Sequence, residues 1–79
     1  MARILTVDDD RDCLAILRGF LMVGNHEVFP LLRAERIIAE TKEVMPDLVI
    51  TDLMMPGVTG GLVYQAIRKE IGPNLPIIV

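Results

Sequence analysis

The sequence predicts an α/β domain built on a doubly wound parallel sheet, and three observations predict it. Short apolar, β-rich runs alternate with amphipathic helical stretches along the chain, the order that parallel strands joined by crossover helices produce. Apolar residues make up 52% of the 79, and the mean hydropathy is +0.47, which suits strands buried on both faces better than strands of alternating polarity. Two of the apolar runs stop on aspartates, as buried strands do where they emerge at the end of a sheet. The length leaves room for one small domain, and the apolar content excludes intrinsic disorder.

Ile4-Leu5-Thr6-Val7 reads as the first strand, halted by Asp8, Asp9 and Asp10. Asp10 is placed to cap the helix that follows, with Asp12 in the first turn where the macrodipole favours an acid. Leu14, Leu17 and Leu21 then recur at helical spacing with Ile16 and Phe20 beside them, until Gly24-Asn25 ends the helix. His26 to Phe29 is a brief second strand closed by Pro30, whose missing N–H argues for a sheet edge. From Arg33 to Glu43, Ala34, Ile37 and Ile38 face one way and charged residues cover the rest, a second amphipathic helix. Pro46-Asp47 breaks it, and Leu48-Val49-Ile50-Thr51 forms a third strand ending on Asp52. Leu53 to Thr59 is expected to be a loop punctuated by Pro56-Gly57. Leu62, Val63, Ala66, Ile67 and Ile71 give a third helix ended by Gly72-Pro73, and Pro76 to Val79 begins a fourth strand. An apolar strand with no helix to cover it is an adhesive edge, so the chain reads as a truncated domain whose fourth-strand edge offers a route to a homodimer.

The charge balance narrows the function. A net charge of −3 gives no electrostatic footprint for phosphate backbones or anionic lipid, so direct nucleic-acid binding by this segment is not expected. The longest uncharged run, Leu53 to Ile67, contains Pro56 and three glycines and falls short of the roughly 18 residues that a membrane span needs. The apolar stretch at the N-terminus is too short for a signal-peptide core. One cysteine, Cys13, cannot form an intrachain disulfide, which fits a reducing cytoplasm; it is expected to be a small core or half-buried residue.

The chemistry lies in the acids. Asp8 and Asp9 close the first strand and Asp52 closes the third. If those strands are neighbours, their carboxyl ends meet beside the crevice where doubly wound sheets bind ligands. Like charges brought together demand a proton or a cation, and all-oxygen ligation selects a hard ion such as Mg²⁺. A carboxylate beside such an ion can also act as a nucleophile toward phosphorus.

Ile4-Leu-Thr-Val-Asp-Asp-Asp10 together with Pro46-Asp-Leu-Val-Ile-Thr-Asp-Leu-Met-Met-Pro-Gly57 resembles the receiver domain of bacterial two-component response regulators, and the likeness spans the chain. The resemblance implies a flavodoxin-like fold with sheet order 2-1-3-4, incomplete because the family's fourth helix, fifth strand and fifth helix would follow Val79. It implies Asp52 as phosphoacceptor and metal ligand, Asp9 as a direct ligand of Mg²⁺ or Mn²⁺, Asp8 acting through a metal-bound water, and the backbone carbonyl of Met54 as a further ligand. Pro56-Gly57 would shape the loop presenting that carbonyl. The implied partner is a sensor histidine kinase or phosphotransfer protein, and the implied role is a signalling module regulating an output domain or partner rather than an enzyme. Thr59-Gly60-Gly61 departs from the family, which usually carries an aspartate before the glycine opening the third helix. The family's hydroxyl residue past the fourth strand and its lysine on the fifth would also lie past Val79.

Two other readings stand beside it. Asp8-Asp9-Asp10 resembles the Asp-x-Asp of haloacid-dehalogenase-like phosphatases, with Asp8 as nucleophile and Asp10 as general acid, although Arg11-Asp12 is the wrong continuation. The chain could also be a chemically inactive interaction fragment. Asp10 and Asp12 read as capping and dipole residues, Thr59 as the cap of the third helix, and Met54 and Met55 as packing residues. Thr51 reads as a strand residue, His26 as a surface residue, and Lys42, Arg68 and Lys69 as solvated charges.

Overall fold

A computed structural model describes residues 1–52, 54–55 and 58–79, with only the backbone of Met54, Met55 and Val58. The elements are β1 (Arg3–Val7), α1 (Arg11–Val23), β2 (Glu27–Leu31), a 3-10 turn (Ala34–Arg36) running into α2 (Ile37–Val44), β3 (Leu48–Thr51), the short β4 (Met54–Met55) and β5 (Val58–Thr59), α3 (Gly60–Glu70) and β6 (Ile77–Ile78). The main sheet runs β2-β1-β3-β6 with every pairing parallel, the predicted α/β, flavodoxin-like order. Because the chain steps outward from β1 to β2 and then crosses back to β3, right-handed crossovers place α1 on one face and α2 and α3 on the other.

β1 and β3 occupy the middle of the sheet, which explains why they are apolar apart from Arg3 at the start of β1 and the buried Thr6 and Thr51. Ile4, Leu5, Thr6 and Val7 are all buried, as is Val49. Leu5, Val7, Val49 and Leu31 form one cluster with Ala34, Ile37, Val63 and Ile67, and Phe29, Ile38, Leu75 and Ile77 pack against it. Each helix contributes what its periodicity can turn inward: Ile37, Thr41 and Val44 from α2, and Gly60, Val63 and Ile67 from α3. The buried Thr41 hydroxyl is satisfied by donating to the Ile37 carbonyl one turn back, 2.6 Å away.

Several local expectations are corrected. β2 runs through Pro30 to Leu31, because Pro30 pairs with Thr6 on the outermost strand, where its missing N–H costs no ladder bond. The second helix opens as a 3-10 turn and becomes α-helical only at Ile37. On α1 only Leu14 is buried, while Ile16 and Phe20 are exposed, since a single stripe of that helix meets the sheet. Leu62 of α3 and Ile71, which caps that helix instead of extending it, are likewise exposed. The segment read as a loop after Asp52 contains an antiparallel hairpin, Met54 opposite Thr59 and Met55 opposite Val58. Pro56 and Gly57, expected to punctuate that loop, lie outside the described residues.

His26 is not a free surface side chain: its Nδ1 accepts the Ala2 N–H at 3.1 Å, and Glu27 N–H donates to the Ala2 carbonyl. Next to it, Arg3 N–H donates to Asp47 Oδ2 at 2.8 Å and Asp47 N–H to the Arg3 carbonyl at 2.7 Å, so both flanks of β1 are pinned at the end opposite the acids. Arg68 is also engaged: it donates to the Gly72 carbonyl at 3.0 Å and lies over the Tyr64 ring, 4.8 Å from its centroid. It thereby serves the carbonyl end of α3, where a cation is favoured. Gly72 itself has φ 127, a conformation open to glycine and strained for other residues.

Thr6 breaks the local logic. Its Oγ1 is buried without a hydrogen-bond partner among the described residues, and an orphaned buried hydroxyl is destabilising. Thr6→Val is therefore expected to raise the unfolding free energy by about 1–2 kcal/mol, measured by urea denaturation. A loss of stability would show that the hydroxyl is satisfied.

Candidate metal centre

The acids meet because the strands that carry them are neighbours in register. Val7 pairs with Thr51, so the residues that follow, Asp8 and Asp52, leave the sheet side by side. Asp52 N–H donates to the Val7 carbonyl at 2.9 Å, and Asp8 N–H to the Leu31 carbonyl at 3.1 Å. One carboxylate oxygen each from Asp8, Asp9 and Asp52 lies within 4.8 Å of the others. The structure therefore brings together the three carboxylates that the sequence singled out. Asp8 is half-buried and Asp9 exposed, and the cluster opens to solvent.

The donor set fits a hard divalent cation. Oxygens bound to one octahedral Mg²⁺ sit about 3 Å apart when adjacent and about 4.2 Å when opposite, given Mg–O bonds near 2.1 Å. The spread of the three oxygens, within 4.8 Å of one another, is close to that range. Met54 begins β4 two residues past Asp52, opposite Thr59.

The loop between β1 and α1 is ordered by its own side chains. Asp8 Oδ1 accepts the Asp10 N–H at 3.0 Å. Asp10 Oδ1 caps α1, accepting from Asp12 N–H at 2.8 Å and Cys13 N–H at 3.4 Å, as its sequence position predicts. These bonds, that of Asp12 first, hold the Asp10 carboxyl below the usual carboxylate range. Thr59 Oγ1 caps α3 by accepting the Leu62 N–H at 3.2 Å, also as predicted.

Two residues near the centre escaped the sequence reading. Cys13 is exposed rather than half-buried. Its thiol is pushed up chiefly by its hydrogen bond to Asp10, then by the charge of that carboxylate, with smaller contributions from burial and from Asp8 and Asp52. Thr51 is more than a strand residue: its buried hydroxyl donates to the Asp52 carbonyl at 3.2 Å. No single-sequence signal separates it from other strand threonines, because the bond depends on how the chain turns after β3.

Residues 4–79 match the response regulator receiver domain family. The chain belongs to that family. Its receiver sequence is 38% identical over 76 residues to the uncharacterized transcriptional regulatory protein YrkP of Bacillus subtilis, covering 96% of this chain and 32% of that protein. The receiver fold is similar to that of the chemotaxis protein CheY4 of Vibrio cholerae, with a TM-score of 0.89, 27% identity, and coverage of 98% of this chain and 65% of that one. It is also similar to the response regulator TrrA of Thermotoga maritima in complex with Mg(2+)-BeF, with a TM-score of 0.83, 34% identity, and coverage of 90% of this chain and 62% of that one. The receiver chain thus spans a third or less of the length of the curated relatives it matches. Among its described residues, no helix is long and apolar enough to cross a membrane.

Proposed function

We propose that this receiver domain accepts a phosphoryl group on Asp52 from the phosphohistidine of a sensor histidine kinase or phosphotransfer protein, in the cytoplasm, and so regulates an output domain or partner. The observation that carries the reading is the convergence of Asp8, Asp9 and Asp52 at the ends of adjacent parallel strands. Asp9, Asp52 and the Met54 backbone carbonyl would hold Mg²⁺ or Mn²⁺ directly, and Asp8 through a water. When bound, the ion supplies charge neutralisation on the phosphoryl oxygens. An Asp52 carboxylate oxygen attacks phosphorus in line, the new O–P bond forms as the P–N bond breaks, and the electron pair leaves with the imidazole nitrogen. The β1 and β3 backbones fix the attacking group beside Asp8 and Asp9, so the chain supplies orientation and the ion supplies charge. The Mg(2+)-BeF bound in the TrrA structure is consistent with this assignment.

The phosphatase alternative needs Asp10 to deliver a proton. Its carboxylate instead accepts two amide N–H groups at a helix cap and is held below its ordinary range, which favours the phosphoacceptor reading. The direct test is intact-mass spectrometry after incubation with Mg²⁺ and phosphoramidate, a small donor carrying the P–N bond of a phosphohistidine. The expected result is a gain of one phosphoryl group that disappears on chelation of the ion. No gain with Mg²⁺ present would overturn the reading.

A further inference from the structure

We propose that Asp10 is a positioning residue for the acidic centre, aiming Asp8 through its main-chain N–H while its own carboxylate is tied into α1. The inference rests on the reading of Asp8, Asp9 and Asp52 as a divalent-cation centre. Asp10 is not among the three converging acids; its side chain turns to the helix instead. It is anchored there three times, by Asp12 N–H and Cys13 N–H on Oδ1 and by Leu14 N–H on its carbonyl at 3.1 Å. Those anchors fix its backbone at φ −101 and ψ 115, and that conformation decides where its own N–H points. The N–H points at Asp8 Oδ1, 3.0 Å away.

The consequence for Asp8 is a restricted carboxylate. A side chain at the rim of the sheet has several staggered rotamers; one oxygen held by a fixed amide selects among them and leaves the remaining lone pairs for the cation or its water. Partners of this outer kind typically change metal affinity by about 10–100-fold when removed. The helix cap and the acidic centre are then one device, in which α1 rigidifies the loop that presents Asp8.

The test separates position from charge. Mg²⁺ binding to the 79-residue chain is measured by isothermal titration calorimetry for the native protein, Asp10→Asn, Asp10→Ala and Asp10→Gly, with α1 content followed by far-UV circular dichroism. Asn removes the charge and keeps the capping oxygen; Ala removes both; Gly removes both in a form that helix N-termini tolerate at little cost, so a folded variant without the anchor is available even if Ala does not fold. Ala and Gly are expected to bind Mg²⁺ about tenfold more weakly than Asn. Equal affinities among Asn, Ala and Gly, with Mg²⁺ still bound by the native chain, would overturn the positioning role alone. Absence of Mg²⁺ binding by the native chain would overturn the cation-centre reading and this inference with it.

Discussion

Asp52→Asn is expected to abolish phosphoryl uptake while leaving the fold intact. The substitution exchanges a carboxylate oxygen for an amide of nearly the same shape, removing the proposed nucleophile and one proposed anionic ligand together. A backbone bond that helps to seat this residue, from its N–H to the Val7 carbonyl, survives the substitution. The Thr51 hydroxyl likewise reaches the Asp52 carbonyl rather than its side chain. Intact-mass analysis should therefore show no added phosphoryl group under conditions that load the native chain, with far-UV circular dichroism unchanged. Uptake by Asp52→Asn at the native rate would assign the acceptor to another residue.

The second large effect is structural. Leu5→Ala is expected to cost about 2–5 kcal/mol, because Leu5 is 0% exposed in the central strand and belongs to the main core cluster. It stands in register with Phe29 on one side and Val49 on the other, so the void would open on the sheet face that packs against Ile37, Val63 and Ile67. Small domains hold roughly 0.05–0.15 kcal/mol per residue, so the loss is a large share of the total. Urea denaturation should show a strongly lowered midpoint, and a change below about 1 kcal/mol would mean that the surroundings repack around the smaller side chain.

The sheet and the acidic centre were legible because each depends on a pattern that few arrangements satisfy. Ile4 to Val7 and Leu48 to Thr51 carry no charge and only one threonine each, the composition of central parallel strands, and each is followed by an acid. Placing those acids together required only that the strands be adjacent. What escaped depended on the path of the chain between elements. Pro30 marks an outer strand, as the sequence predicts, but read as the residue that closes the strand it conceals that the pairing continues to Leu31. Met54-Met55 and Val58-Thr59 are too short for a period to be counted, so their pairing left no signature. Phe20 and Ile16 match a helical stripe, but periodicity does not say how wide a strip the sheet covers. His26 and Cys13 were misjudged because their neighbours, Ala2 just before β1 and Asp10 in the β1–α1 loop, meet them through a chain path that the sequence does not specify.

The proline opposite Thr6 also bears on behaviour at high concentration. In the ladder with β1, Glu27 N–H points inward, so by the alternation of a strand the outward amides of β2 are those of Val28 and position 30. Proline leaves position 30 blank. A foreign segment seeking to extend the assembly on that flank finds one donor where it needs two, and fibril-like templating is discouraged there by a single missing hydrogen.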